Sequence, residues 1–307
     1  MIKKAFLLSM ILMLGTASCA TRQCMREENL MAFLEDRADE AYDSDNLTYV
    51  AQIRLALRFT RGEWLAYGEP LPSAPFDWTA VLHGKTLGKV HTVGILNSEW
   101  CRDKGLLKLA PDQQLPEAGR RTKEFAGWMY RAVKRPLVLV TKDCFKDGEG
   151  WRPVQWGGAV PQEFLRAFRK YVILEEDTDT KTVNLTFQDS DLETCNVYQS
   201  RFGDTVAEVR FREDSELFRR LTAGPYLYKV KGASSLSLNP NSFWFGKSGG
   251  ESQPRYLGDE MALLDIGDFD RNGRSELVFF FSRENEDGYL IAWNRLKEAT
   301  VFSWHYH

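Results

Sequence analysis

The chain has 307 residues, 43% of them hydrophobic, which is enough apolar material for one large or two ordinary cores and too much for a disordered protein. Its formal charge is −3, and a mildly acidic body of this kind argues against nucleic-acid binding. Beyond residue 19 no apolar run is long enough to cross a bilayer, and no low-complexity tract interrupts the sequence.

Met1 to Ser18 opens with Lys3 and Lys4, continues through an apolar run from Ala5 to Leu14, and closes on Gly15, Thr16, Ala17 and Ser18. That order of charge, apolar run and small residues is a secretory signal. Thr-Ala-Ser-Cys, ending at Cys19, resembles a bacterial lipobox, and the resemblance implies acylation of Cys19 as the new N-terminus. Cleavage after Ala20, with Ser18 and Ala20 as the small pair, is the alternative. Losing Lys3 and Lys4 takes the formal charge from −3 to −5. The expectation is a soluble body held to a membrane by an N-terminal lipid in the cell envelope.

Five cysteines are present, and beyond Cys19 the remaining four are Cys24, Cys101, Cys144 and Cys195. An even number in an exported chain suggests disulfides, with three possible connectivities and nothing in the spacing to choose among them. Buried free thiols are the other reading. The wide spacings contain no Cys-x-x-Cys pair, so neither zinc nor thioredoxin-like chemistry is indicated.

Leu30, Phe33, Leu34 and Ala41 share one face of an expected helix from Arg26 to Tyr42. From Val50 the period changes to two: Ile53, Leu55, Leu57 and Phe59 alternate with Gln52, Arg54, Ala56 and Arg58, as in a half-buried strand. Arg61-Gly62-Glu63 turns it into a hairpin with Trp64 to Tyr67, and Trp78 to Leu82 pairs with Leu87 to Val93 across His83-Gly84-Lys85. Phe125, Trp128, Met129 and Ala132 set a helix over Thr122 to Val133, which Pro136 ends before a strand at Leu137 to Thr141. The Gly-, Pro- and Trp-rich stretch from Glu149 to Pro161 reads as a domain boundary, and Pro161 suits the first turn of a helix carrying Phe164, Leu165, Phe168, Tyr171 and Val172.

Glu175 to Asp179 reads as a solvated acidic loop. Cys195 to Ser200 and Thr205 to Phe211 form a hairpin, and a further strand is expected at Tyr226 to Val230. Met261 to Ile266, Glu276 to Phe281, Tyr289 to Trp293 and Thr300 to Tyr306 follow with short turns, as a meander or one propeller-like blade. Phe302, Trp304 and Tyr306 belong to its buried face, His305 and His307 to the other. The fold class is therefore mainly β, with antiparallel hairpins, a C-terminal meander and a few helices, in two domains. Residues 1–18 are the signal, 19–45 the anchor segment and helix, 46–155 an antiparallel β domain with a helix, and 156–307 an α+β domain.

One stretch asks for a specific chemistry. Asp268, Asp270, Asn272 and Glu276 stand at loop positions 1, 3, 5 and 9, Gly273 stands at position 6, and the Arg274 carbonyl at position 7 offers one more oxygen. Hard cations take six to eight oxygens, and a short loop supplies them only by folding back where a glycine permits it. Position 12, where an EF-hand requires Glu, is Phe279, and both flanks read as strands. The strand, Asp-x-Asp-x-Asn-Gly-x-x-Glu, strand pattern resembles the FG-GAP or VCBS-type calcium loops of integrin α-chain propellers and secreted bacterial proteins. The resemblance covers about twenty-five residues in one copy and implies a Ca²⁺ ion held by Asp268, Asp270, Asn272 and Glu276. Its affinity is expected to be weak, about 10⁻⁴ to 10⁻³ M. A plain Asn272-Gly273 hairpin turn is the alternative, although it needs no acid at positions 1, 3 and 9.

Other chemistry is sparse. Gly246-Lys247-Ser248 lacks both the first glycine of a phosphate loop and a following helix. There is no Gly-x-Ser-x-Gly, His-Glu-x-x-His or dinucleotide fingerprint, and the four histidines do not assemble a ligand triad. Nine tryptophans are scattered along the chain, as core residues are, rather than gathered in a sugar-binding strip. The expected function is a non-enzymatic binding or scaffold protein with one structural Ca²⁺ and a protein or glycan partner. A hydrolase using acids such as Glu175, Asp177 and Asp191 is the alternative.

Overall fold

A computed structural model describes residues 29–38, 49–68, 76–96, 104–118, 127, 136–141, 149–155, 159–178, 181–185, 188–192, 196–222, 227–230, 235–237, 241–247 and 253–306. The N-terminal strands are β1 (Asn29–Ala38), β2 (Tyr49–Thr60), β3 (Glu63–Ala66), β4 (Phe76–Leu82), β5 (Lys85–Ile95), β6 (Leu106–Leu109) and β7 (Leu137–Val140). Their order is β1-β7-β4-β5-β6-β2-β3, and because β1 also pairs with β2, six of them close into an antiparallel barrel with β3 as an appendage. Closure leaves those six without a free edge. Every barrel strand sends side chains inward: Leu30, Ala32 and Leu34 from β1, Ile53 and Leu55 from β2, Trp78 and Ala80 from β4, Val90 from β5, Leu107 from β6, Leu137 and Leu139 from β7.

The middle of the chain supplies β8 (Arg152–Val154), helix α1 (Ala159–Tyr171), β9 (Val172–Thr178), β10 (Lys181–Leu185), β11 (Val197–Gln199), β12 (Asp204–Arg210), helix α2 (Glu216–Thr222), β13 (Leu227–Val230), β14 (Ser235–Ser237), β15 (Asn241–Lys247) and β16 (Arg255–Asp259). They form an antiparallel sheet in the order β16-β15-β12-β11-β8 and a smaller one in the order β10-β9-β13-β14. Helix α1 has Pro161 in its first turn and lays Phe164, Leu165 and Phe168 on Val197, Ala207, Val209 and Trp244 of the larger sheet.

The C-terminal strands β17 (Met261–Gly267), β18 (Glu276–Arg283), β19 (Glu286–Trp293) and β20 (Glu298–His305) make the expected meander in consecutive order. Both of its faces are covered. Ala262, Leu264, Val278, Phe280, Tyr289, Ile291, Phe302 and Trp304 pack on the outer face of the barrel, against Met31, Phe33, Ala56, Leu57, Val81, Val138 and Val140. Met261, Ile266, Leu277, Phe279, Phe281 and Ala292 pack the other way, on Val206 and Phe243 of the helix-backed sheet. Hence β18 is an unbroken apolar run from Leu277 to Phe281. The barrel interior and the helix-backed sheet keep separate cores, and the meander lends a face to each side.

Three expectations are corrected. The segment expected as a helix over Arg26 to Tyr42 is β1 from Asn29 to Ala38. Leu30-Met31-Ala32-Phe33-Leu34 fits a helical stripe only because both faces of this strand are apolar, one facing the barrel interior and the other the meander. The acidic stretch expected as a loop at Glu175 to Asp179 runs as strand to Thr178, with β9 paired to β10 in register Glu175↔Asn184 and Asp177↔Thr182. Strand β2 is not half-buried either. A bulge at Ala56 flips Leu57 outward, and the face carrying Arg54 and Ala56 lies beneath the meander. The expected helix over Thr122 to Val133 lies outside the described residues apart from Gly127. Among the described residues no helix is long and apolar enough to cross a membrane.

Candidate metal centre

Residues 268–275 join two buried antiparallel strands, with Gly267 directly opposite Glu276. The loop folds back through two left-handed residues, Arg271 (φ 67°) and Gly273 (φ 86°). Side-chain oxygens replace the missing ladder. Asp270 Oδ1 accepts the Asn272 N–H at 2.9 Å, Asn272 Oδ1 accepts the Arg274 N–H at 2.8 Å, and Asp268 Oδ2 accepts the Gly273 N–H at 2.9 Å. Two successive Asx turns are therefore wound inside a larger one closed by Asp268. From the far side Glu276 Oε2 accepts the N–H groups of Phe269 at 2.6 Å and Asp270 at 3.3 Å.

This winding brings three of the sequence-selected acids together. Asp268, Asp270 and Glu276 each offer a carboxylate oxygen, and these oxygens lie within 4.8 Å of one another. Oxygens on opposite sides of a Ca²⁺ ion, each at 2.3–2.6 Å, stand about 4.6–5.2 Å apart, so the cluster has the dimensions of a hard-cation cage. Asp268 is 6% and Glu276 1% exposed, whereas Asp270 is half-buried at the rim. Asp268 Oδ1 is buried and has no hydrogen-bond partner. A buried carboxylate oxygen left this way is costly unless something outside the chain completes it.

The electrostatics agree. Burial raises the Asp268 carboxyl to about 6, helped by its neighbour Asp270 and opposed by the Gly273 and Arg271 N–H groups. Burial also raises Asp270, against the hydrogen bonds from Asn272. Glu276 is pushed well above the ordinary range, first by burial and then by the charge of Asp270, despite the N–H of Phe269. Like charges in low dielectric have few counterweights here except backbone dipoles.

Asn272 is exposed, and its Nδ2 donates to Asp270 Oδ2 at 2.7 Å, so its side chain lies at the rim with Asp270. Arg274, the source of the expected additional carbonyl oxygen, follows Asn272 in the second Asx turn.

Among the described residues no other candidate group assembles. Glu175 and Asp177 belong to β9, and their side chains lie outside the described set. Asp191 caps a short 3₁₀ turn, accepting the Gln188 N–H at 2.7 Å. Cys19, Cys24, Cys101, Cys144 and Cys195 all fall outside the described residues, as does His307. His83, His91 and His305 each have a different acidic neighbour, Asp265, Asp77 and Glu286. Lys247 ends strand β15, which removes any phosphate loop there. Trp64, Trp78, Trp244 and Trp304 are core residues.

Sequence reasoning missed a second buried polar cluster. Glu35 on β1 accepts from Arg54 Nε at 3.0 Å, Gln52 Nε2 at 2.6 Å and the Tyr289 hydroxyl at 2.8 Å. Arg54 also donates to the Lys104 carbonyl at 2.6 Å and lies 3.8 Å from the centre of the Trp304 ring. Glu35 and Arg54 are each 2% exposed. Charged residues alternating along β2 read as a solvent face, and only the meander, more than two hundred residues away, shows that they are covered.

Compared with models of protein families, with curated proteins and with solved structures, the chain has no match.

Proposed function

We propose that this is an exported, lipid-anchored cell-envelope protein in which one structural Ca²⁺ sets the 268–276 loop, and that it serves as a non-enzymatic binding or scaffold protein. The observation that carries the cation is the buried, partnerless Asp268 Oδ1 beside two further carboxylates in a loop whose spacing suits oxygen ligation. Asp268, Asp270 and Glu276 supply the anionic oxygens, with Asn272 and the Arg274 carbonyl at the open rim. All-oxygen ligands and three carboxylates favour a hard divalent cation over zinc or copper. Exposure of Asn272 and Gly273 leaves the rim open to water, which agrees with the weak affinity of extracellular-type sites.

Calorimetric titration of the full chain with CaCl₂ tests the site. Heat is expected for the wild type and for Asp177→Ala, and none for Asp270→Ala, which removes a ligand from the middle of the loop. A wild type without heat would sink the cation reading.

Anchoring rests on the N-terminal signal and Cys19. Mass spectrometry of the envelope fraction is expected to find acyl chains on Cys19; an unmodified chain beginning at Thr21 would overturn the lipid and keep export.

A further inference from the structure

We propose that the 268–276 loop is a cation-set latch that fastens the meander to the barrel, an inference that rests on the cation reading above and adds a conformational consequence to it. The connecting residue is Phe269, which lies in sequence between two ligand positions. Its N–H is held by Glu276 Oε2 at 2.6 Å, so its backbone follows the ligand cluster. Its side chain is 4% exposed and belongs to the core shared by Met31 and Phe33 of β1, Trp64 of β3, and Val138 and Val140 of β7. Its carbonyl accepts from Asn29 Nδ2, at 3.5 Å, on the first residue of β1. One residue thus ties the ligand set, through its N–H, to the barrel's outer face, through its side chain and its carbonyl.

Gly267 shows how closely that ring is seated. A Cβ there would come within 2.9–3.0 Å of the Phe269 ring. The ring therefore lies against the end of β17.

The physical argument concerns charge. With their oxygens within 4.8 Å and no cation between them, Asp268, Asp270 and Glu276 repel one another in a poorly hydrated site. Separation relieves the repulsion, and moving Glu276 away from the Asp268–Asp270 segment releases the Phe269 N–H. A divalent cation reverses the sign of the interaction and holds the segment, and with it the ring, against the barrel. Coupling of this kind is reciprocal, so a docked Phe269 tightens the loop's hold on the cation by the same factor.

Hydrogen exchange on the full chain, with Ca²⁺ alone as probe, tests the latch. At a Ca²⁺ concentration ten times the calorimetric Kd, opening of the loop is suppressed about tenfold. The expected result is about tenfold slower exchange at 30–34 in β1 and 262–266 in β17, with β12 and β15 little changed. Phe269→Ala keeps every ligand and is expected to bind Ca²⁺ more weakly and to lose the β1 response; Phe269→Val serves the same purpose if the alanine variant does not fold. Binding heat with protection confined to 268–276, or equal slowing in every strand, would overturn the latch and leave the cation site standing. So would a full β1 response in either Phe269 variant. No binding heat in the wild type would overturn both.

Discussion

Glu35 and Glu276 are both buried carboxylates along the seam where the meander meets the barrel, and the chain treats them differently. Glu35 has an arginine, a glutamine amide and a tyrosine hydroxyl arranged around it, drawn from β2 and β19. Arg54 in turn is covered by Trp304 and donates to the Lys104 carbonyl. Glu276 has two backbone N–H groups and two more carboxylates within reach. The first cluster carries its own counterion; the second gathers charge of one sign and leaves Asp268 Oδ1 without a partner. Equal burial, then, does not mean equal completeness, and it is the incomplete cluster that asks for a ligand.

Removing a partner from the complete cluster gives the largest expected effect. Arg54→Ala leaves Glu35 buried without its cation and also uncovers Trp304, and breaking a buried pair from one side costs about 3–5 kcal/mol. Urea denaturation of the variant, with and without Ca²⁺, is the measurement. The loss is expected to be the same in both conditions, because no side chain among the described residues hydrogen-bonds to both Glu35 and the Asp268–Asp270–Glu276 group. A loss that Ca²⁺ restores would show that the two clusters are energetically coupled.

Next in size is the cation itself. Ca²⁺ at 1 mM with a Kd of 10⁻⁴ to 10⁻³ M adds RT ln(1 + [Ca²⁺]/Kd), roughly 0.5 to 1.5 kcal/mol, a rise in melting temperature of a few degrees that chelator reverses. Asp268→Asn is expected to remove that response while making the Ca²⁺-free protein more stable than the wild type, since one of three mutually repelling charges is gone. Thermal melts in chelator and in Ca²⁺ check both halves. No comparable gain is available at Glu35, where Glu35→Gln weakens a hydrogen-bonded ion pair.

The pH dependence has a definite sign. Asp268, Asp270 and Glu276 all have folded-state values above their ordinary ones, with Asp268 at about 6. For acids shifted upward, the stabilising contribution is fully present below the unfolded value near 4. It is lost as pH rises through the folded value. The Ca²⁺-free protein should therefore lose stability from these groups between about pH 4 and 6 and beyond. Because Ca²⁺ binds the ionised forms, its stabilising increment should be larger at pH 7 than at pH 5. Denaturation at the two pH values with and without Ca²⁺ gives the four numbers needed, and an increment that is larger at pH 5 would contradict the ligand assignment.

The two clusters also differ in how they could be read from sequence. Asp-x-Asp-x-Asn-Gly-x-x-Glu is local, and its two Asx turns close within five residues, so residue spacing carries the geometry. The meander, the hairpins at 61–63 and 83–85 and the Pro161 helix are legible for the same reason: period and turn chemistry are short-range. The Glu35 cluster depends on β1 and β2 pairing to close a barrel and on β19 arriving from residue 289. Strand β1 itself misleads because it is apolar on both faces, and helical spacing can always be found in a continuous apolar run. Ala56 is a one-residue bulge that no propensity marks, yet it decides that Leu57 faces the meander.

The smallest effect expected is at the rim. Asn272 is exposed, and its side chain bridges Asp270 Oδ2 and the Arg274 N–H at 2.7 and 2.8 Å. Asn272→Ala removes both contacts, and exposed hydrogen bonds contribute little, about 0.5 to 1 kcal/mol together. The Ca²⁺-free stability should therefore fall by no more than about 1 kcal/mol. The ligand role predicts something different for affinity: losing one neutral oxygen of several should weaken Ca²⁺ binding by several-fold, while the three carboxylates still hold the ion. Asn272→Asp should move affinity the other way, because it adds a fourth negative charge, and should lower Ca²⁺-free stability for the same reason. Calorimetry on the pair separates the two effects. If neither substitution changes the affinity, Asn272 is a turn former alone and the cation is held only from the buried side of the loop, by Asp268 and Glu276 with Asp270 at the rim.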